Sequence, residues 1–149
     1  MEEIKCKYHC EVISPAGKLL DCPAFSVVIP AHDGLRGILC NHIPMFCALG
    51  LGIMAVRRER PEVKEIQKPV YFFIDGGFAL FAANLLKIIA FDAVCLEGLP
   101  DEQIDHIRQR FQRRLVHKGI SKAEFFKETE RMKFLDKLIE LNNAEAAAK

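Results

Sequence analysis

The chain has 149 residues, half of them hydrophobic, which is enough for one domain with its own core and a small appendage. Lysine and arginine number 21 against 20 aspartates and glutamates, so the formal charge of +1 gives no overall attraction to nucleic acid or to an anionic membrane. Polar residues such as Asp75, Asn84 and Lys87 interrupt the apolar stretch 70–96, which therefore predicts strands and no membrane span.

The first two thirds of the chain predict short strands joined by tight turns. In chain order we expect strands at 9–14, from 18 onward, and at 25–29, 38–40, 45–49, 53–58, 70–74, 78–81 and 85–91. Pro30 is predicted to end its strand, and Gly50 and Gly52 to form a turn between two strands. The charges of mixed sign at 57–69 predict a solvated hairpin tip.

The last two of these strands are almost continuously apolar and are joined by a turn in which Asn84 tolerates the left-handed backbone. Strands of this kind need cover on both faces. We therefore expect a two-layer β structure.

The composition changes at Leu99-Pro100, after which the sequence is charged and helical. Asp101 and Glu102 suit a first helical turn, and Gly119 separates the first helix from a second that Ser121 and Glu124 open as a capping box. The predicted apolar stripes are Ile104, Ile107, Phe111 and Leu115 on the first helix and Phe125, Met132, Leu135 and Ile139 on the second. The fold class is an all-β sandwich (residues 1–98) followed by an antiparallel two-helix hairpin (99–149).

An ordered series of motifs in the first part resembles the epsilon subunit of bacterial F-type ATP synthases, the homologue of mitochondrial delta. The series is Ser14-Pro15-x-Gly17, Val28-Ile29-Pro30, Asp33-Gly34, Gly37-Ile38-Leu39, His42-x-Pro44, Leu49-Gly50 and Gly76-Gly77-Phe78. The chain departs from the family at two places. Leu35 and Arg36 follow the Asp-Gly turn where an acidic residue is common, and Cys40-Asn41 replaces a common Pro-Gly.

The resemblance implies a non-catalytic rotor subunit of a proton- or sodium-translocating ATP synthase, with no required cofactor. Its partners are the gamma subunit, the ring of c subunits and, through the C-terminal helices, the catalytic alpha and beta subunits. The contact loop with gamma and the ring is expected to include Asp33, Leu35, Arg36, His42 and Pro44. The implied location is the cytoplasmic face of the bacterial inner membrane, with the chain peripheral to the membrane. The helices are expected to regulate ATP hydrolysis.

Some family members bind regulatory ATP through a short motif in the first helix, which Ile104, Asp105 and Arg108 resemble. Asp105 and Arg108 are spaced i, i+3 and share a helix face, where an acceptor for adenine and a cation for phosphate can converge. The competing interpretation is an ordinary surface ion pair.

The six cysteines leave a second function class open. The N-terminal residues lack the apolar run of a secretory signal, so we expect reduced thiols in the cytoplasm. Cys6, His9, Cys10 and Cys22, or Cys40, His42 and Cys47, have no C-x-x-C spacing, and we predict no metal site and no thiol nucleophile. The alternative reading is a free-standing metal-binding or thiol-reactive sandwich built on these residues.

Overall fold

The computed structural model describes residues 6–58, 68–117 and 119–147. The chain divides into two compact units, Met1–Cys95 and Leu96–Lys149. The elements are β1 (Tyr8–Ser14), β2 (Gly17–Ala31), β3 (Gly34–Leu39), β4 (Met45–Arg58), β5 (Val70–Ala82), β6 (Leu85–Ala90), β7 (Ala93–Cys95), α1 (Asp101–Leu115) and α2 (Lys122–Ala147). A β unit followed by two helices is the predicted fold class. The predicted hairpin tip at 59–67 and Lys118 lie outside the described residues.

The strands of the first unit form a sheet that closes on itself. Their order is β1-β6-β5-β4-β2-β3, and β1 also pairs with β2. The β1–β6 pair is parallel, the β1–β2 pair is antiparallel, and the short β7 pairs with β5. The first strand therefore has a hydrogen-bonded neighbour on each side.

Strands β2, β4 and β5 are longer than the predicted segments. Strand β4 continues through Gly50 and Gly52, where we expected a turn, and β5 joins the two strands predicted at 70–74 and 78–81. Between Val28 and Ala31, β2 shifts its register against β4, and this bulge accommodates Pro30. A Cβ on Gly52 would lie 2.7 Å from the Pro30 Cβ, so Gly52 makes room for the bulge inside the strand. The predicted turn at Gly50 and Gly52 is therefore wrong.

A glycine pair shapes β5. Gly76 and Gly77 both have positive φ, at 76° and 125°. A Cβ on Gly77 would meet the carbonyl oxygen of Ile89 at 2.1 Å, so only glycine lets β5 and β6 approach here. The turn that follows β5 has φ of 49° at Ala83 and 55° at Asn84, which confirms the predicted left-handed asparagine.

The core of the first unit is apolar and lies inside the closed sheet. Its largest fully buried side chains include Phe72, Phe81, Ile29, Ile38 and Met54. Tyr8 is also buried, and its hydroxyl donates a hydrogen bond to the carbonyl oxygen of Ile38 at 2.7 Å. Burial raises the pKa of this phenol, so the hydroxyl remains a donor.

In the second unit, α1 buries Ile104 and Phe111 of the predicted stripe. The buried side of α2 is formed by Arg131, Leu135 and Leu138. Phe125 is 53% exposed, so its predicted place in the stripe is wrong: the buried residues of α2 start further along the helix. Among the described residues, no helix is long and apolar enough to cross a membrane.

The capping box is confirmed at the start of α2. The backbone N–H of Ser121 donates to Glu124 Oε2 at 2.9 Å, and the N–H of Glu124 donates to Ser121 Oγ at 3.2 Å. The hydrogen bonds that the Ser121 backbone N–H and side chain make to the Glu124 carboxyl lower its pKa. The predicted acidic residues Asp101 and Glu102 stand in the first turn of α1.

Candidate functional site

One face of the first unit exposes a continuous group of large apolar side chains, which we call the outer apolar patch. Its members come from β4, β5, β6 and the residue after β6: Phe46, Phe78, Leu80, Ile89 and Phe91. Phe46 is directly opposite Leu80 across one strand pair, and Phe78 is opposite Ile89 across the next. The sheet register therefore places these residues side by side.

Aromatic contacts order the outer apolar patch. The rings of Phe46 and Phe78 stack with centroids 5.5 Å apart, and Phe91 meets Phe78 edge-on at 5.6 Å. Phe46 nevertheless remains 68% exposed. We expected both faces of these strands to be covered; the chain leaves this face open. An ordered, exposed apolar patch is typical of a protein interaction surface.

The predicted contact loop divides between two turns. His32 and Asp33 connect β2 to β3, so Asp33, Leu35 and Arg36 lie at the tip of this hairpin. Leu35 is 74% exposed. Arg36 Nη2 lies 3.1 Å from Asp33 Oδ2, and the basic residue that replaces the family's acidic one therefore pairs within its own loop.

His42 and Pro44 lie in the connection between β3 and β4. The His42 ring packs edge-on against Phe81 at 5.7 Å, and its Nδ1 lies 2.7 Å from the carbonyl oxygen of Ile43, which accepts a hydrogen bond. Both contacts fix the imidazole as part of the turn. Ile43 is exposed next to it.

Asn41 takes the left-handed conformation, with φ of 62°, that the common family glycine would adopt easily. Its backbone N–H donates to Asn84 Oδ1 at 2.8 Å, and Asn84 Nδ2 donates to Asn41 Oδ1 at 2.9 Å. The replacement of Pro-Gly by Cys40-Asn41 therefore keeps the turn and adds hydrogen bonds to the β5–β6 hairpin.

The cysteines differ from the sequence-based expectation at one pair. Cys6 and Cys40 are joined by a disulfide, whereas we expected reduced thiols. Cys10 is fully buried, and burial raises the pKa of its thiol to about 12. The two cysteines are 34 positions apart in the sequence, so no local spacing indicates that they pair.

The one convergent group of potential metal ligands among the described ranges is His9, Glu11 and Asp21, whose ligand atoms lie within 4.8 Å of one another. Neither of the cysteine and histidine sets considered above forms such a group there. Lys18 Nζ lies 2.9 Å from Asp21 Oδ2, and Lys87 Nζ lies 3.9 Å from Glu11 Oε2. These ammonium groups balance the carboxylates, so the cluster is an ion-pair network on the sheet surface.

Of the predicted nucleotide-site residues, Ile104 is buried, while Asp105 and Arg108 are exposed. The Arg108 guanidinium lies 3.5 Å from the carboxylate of Asp136 on α2. A cavity of about 480 Å³ opens further along the hairpin, lined by Arg110, Arg113, Arg114, His117, Ile120, Glu124 and Glu128. Three arginines against two glutamates leave this lining with a small excess of positive charge, and the arginines all come from the end of α1.

The closed sheet, the glycine pair and the His-x-Pro turn occupy the segment matched by a known family. The family model for the β-sandwich domain of the ATP synthase delta/epsilon chain matches residues 7–95. The chain therefore belongs to the ATP synthase delta/epsilon chain family.

Relatives named ATP synthase epsilon chain extend this finding. The chain is 28% identical over 123 residues to that of Rhizobium johnstonii, covering 80% of this chain and 87% of the relative. It is 37% identical over 78 residues to that of Synechococcus sp., covering 52% of this chain. The chain spans about half the length of this cyanobacterial relative, 51%.

Two solved structures share the fold. A chain of the Euglena gracilis mitochondrial ATP synthase superposes with a TM-score of 0.60 at 20% identity, covering 99% of this chain and 84% of that one. A chain from the central stalk and c-ring of the Tetrahymena thermophila enzyme gives 0.55 at 17% identity, with 89% and 96% covered. Both similarities include the helical unit.

Proposed function

We propose that this chain is a non-catalytic subunit of the central stalk of an F-type ATP synthase, where it connects the gamma subunit to the ring of c subunits. Family membership over residues 7–95 supports this role most directly. The similar Tetrahymena chain comes from a central stalk and c-ring assembly. On this proposal the chain is peripheral to the cytoplasmic face of the bacterial inner membrane, held there by its partners.

The outer apolar patch is the proposed docking surface for gamma. The five large apolar side chains lie on neighbouring strands or directly after one of them, and they stay exposed to water unless a partner covers them. Burying this apolar surface against a partner is favourable. The stacked pair of Phe46 and Phe78 limits side-chain motion, which reduces the entropy lost on binding. Aromatic anchors of this type dominate many protein interfaces.

The β2–β3 tip is the proposed contact with the c-ring. Leu35 offers an exposed apolar side chain there, and the Asp33–Arg36 pair offers one acceptor and one donor group close together. Such a donor and acceptor can both hydrogen-bond to the polar loops of the ring that the family resemblance implies. His42 and Pro44 lie in the β3–β4 connection, at the other end of β3, and are proposed as a second part of the contact.

Two reciprocal variants test this division. Phe46→Lys should abolish or strongly weaken co-purification with the cognate gamma subunit, while Leu35→Lys should leave gamma binding intact and weaken association with the c-ring. Both side chains are largely exposed, so neither variant is expected to unfold the protein. Equal gamma binding by wild type and a folded Phe46→Lys, Phe91→Lys double variant would contradict the docking surface.

The C-terminal helices are proposed to regulate ATP hydrolysis through contact with the alpha and beta subunits. The locally basic end of α1 and the exposed Phe125 and Phe126 of α2 supply charge and apolar area for a partner. Hydrolysis by the assembled complex should rise when residues 100–149 are removed. Equal rates with and without them would remove this regulatory role.

Nucleotide binding at Ile104, Asp105 and Arg108 remains part of the proposal. Asp105 and Arg108 share one helix face, and ATP binding would exchange the contact between Arg108 and Asp136 for one to phosphate. Calorimetry with ATP on wild type and Arg108→Ala tests it. Binding heat should appear in the wild type and be lost in the variant, and absence of heat in both at millimolar ATP excludes the site.

The alternative function, a free-standing thiol or metal module, predicts a different result in the first experiment. A monodisperse monomer that does not bind gamma, whatever its patch residues, would favour that reading. Metal analysis of protein purified without chelator then decides between the thiol and the metal versions.

A further inference from the structure

The disulfide between Cys6 and Cys40 joins the segment before β1 to the end of β3. The two Cα atoms lie 5.7 Å apart, inside the range in which a disulfide forms without backbone rearrangement. Cys6 is exposed and Cys40 is half-buried, so reagents in solution reach the pair from the Cys6 side. The bond crosses 34 residues of sequence.

The chain that follows Cys40 is the turn of residues 40–44, which includes the predicted contact residues His42 and Pro44. Its other anchors are non-covalent: the amide pair with Asn84, the His42 N–H to the Leu39 carbonyl oxygen at 3.2 Å, and the ring contact of His42 with Phe81. The disulfide is the covalent attachment at the start of this turn. Breaking it leaves the turn held by these non-covalent contacts.

The surroundings of Cys10 and Cys47 make these two thiols less reactive than the exposed Cys6. Cys10 is buried, and its raised pKa keeps the thiol protonated. Burial also raises the pKa of Cys47, which lies in β4. Since the thiolate is the reactive form, an exposed thiol such as that of Cys6 reacts in preference to these two.

We propose that Cys6 and Cys40 are a reversible oxidation site whose state sets how firmly the turn of residues 40–44 is held. In the oxidised form the turn is fixed covalently to the segment before β1. In the reduced form it opens locally more often, because only non-covalent contacts, the hydrogen bonds and the His42–Phe81 ring contact, resist opening. A consequence for the c-ring contact rests on the proposed function; the oxidation site itself does not.

The chemistry needs a small disulfide as oxidant, such as glutathione disulfide. The Cys6 thiolate attacks one sulfur of the oxidant, and one small thiolate leaves. The Cys40 thiolate then attacks Cys6 Sγ, the bond from Cys6 to the small thiol breaks, and the second small thiolate leaves. The protein loses two electrons to the oxidant, and the two cysteine protons are taken up by the released thiolates. A dithiol reductant reverses both steps.

Alkylation and mass spectrometry after equilibration in glutathione buffers of graded reduced-to-oxidised ratio test the site. We expect a linked peptide containing Cys6 and Cys40 that appears and disappears with the ratio. Hydrogen exchange of the Asn41 and His42 amides should be about tenfold slower in the oxidised protein than in the reduced one. The variants Cys6→Ser and Cys40→Ser should exchange at the reduced rate in every buffer, and Cys47→Ser should respond like wild type.

Two results overturn the proposal: no linked peptide at any ratio, or equal exchange rates in both redox states of the wild type. Binding of the oxidised and reduced protein to the remaining complex is a separate readout. Equal binding by both forms, with exchange rates that differ, removes the effect on the ring contact and leaves the oxidation site established. Loss of all binding in both forms contradicts the proposed function instead.

Discussion

Asn84 accepts a hydrogen bond from the backbone of Asn41 at 2.8 Å and donates one to its side chain at 2.9 Å, so two left-handed residues from different turns hold each other. Asn84→Gly keeps the backbone conformation and loses the amide, and it should lower the free energy of unfolding by about 1 kcal/mol. Asn84→Ala adds the cost of a left-handed alanine, about 1 kcal/mol more. Denaturant unfolding measures both.

A double-mutant cycle checks that the loss comes from the pair. Asn41→Gly should remove the same hydrogen bond to the side chain, so the double glycine variant should lose less than the sum of the single variants. Strict additivity would show that the two residues do not interact in solution.

Gly77→Ala should be among the most destabilising substitutions in the first unit. An added Cβ would overlap the Ile89 carbonyl oxygen at 2.1 Å, so β5 and β6 would have to separate, at a cost above about 3 kcal/mol. Gly17 is a matched control, since its φ of 122° is almost the same but nothing lies within 4 Å of its added Cβ. Gly17→Ala should cost about 1 kcal/mol. Similar losses in thermal unfolding would disprove the steric explanation.

Arg131 should contribute to hairpin stability although it is charged. The residue is 6% exposed, and its guanidinium carbon lies 5.2 Å from the centre of the Phe111 ring on α1. Arg131→Met should keep the packing and lose both the cation–π contact and the ion pair with Glu128, whose atoms lie 3.6 Å apart, increasing hydrogen exchange in α1 and α2 by roughly tenfold or less. Phe111→Leu should have a similar effect, and the two should not add. An unchanged exchange rate in Arg131→Met would show that packing alone matters.

The capping box predicts an acid-sensitive start of α2. The pKa of Glu124 is lowered by its hydrogen bonds to Ser121, so its contribution is fully present above the ordinary value of 4.5 and is lost as the pH falls through the lowered pKa. Circular dichroism from about pH 6 to pH 3 should show a helicity advantage of wild type over Glu124→Gln that shrinks on acidification. Ser121→Ala keeps the backbone N–H that donates to Glu124, the larger cause of the lowered pKa, so it should retain most of the pH dependence and lose only the part that comes from the hydroxyl. A constant difference would contradict the coupling.

Short-range chemistry explains which parts of the fold were predictable. Asn84, the Ser121–Glu124 box and the apolar stripe of α1 are determined by neighbours within four residues, and the sequence shows them directly. The prediction of a turn at Gly52 is wrong because the feature that requires a glycine there, the bulge at Pro30, lies on another strand. A glycine that makes room for a distant residue has the same local pattern as one that turns the chain.

The candidate site divides in the same way. Asp33, Leu35 and Arg36 follow a turn motif, and the structure places them together at one tip. The outer apolar patch was missed because continuously apolar strands give no sign of which face stays open. Cys6 and Cys40 were missed because no local spacing links them.

The position of β1 between β2 and β6 has a consequence for biosynthesis. His9 pairs in parallel with Leu85, so β1, which is synthesised early in this unit, cannot complete its pairing until β6 has been synthesised. A parallel pairing between the two ends of the unit is slow to form, and nascent chains without β6 display an unpaired strand edge. Nascent chains that have not yet exposed residue 90, the end of β6, should therefore depend on chaperones.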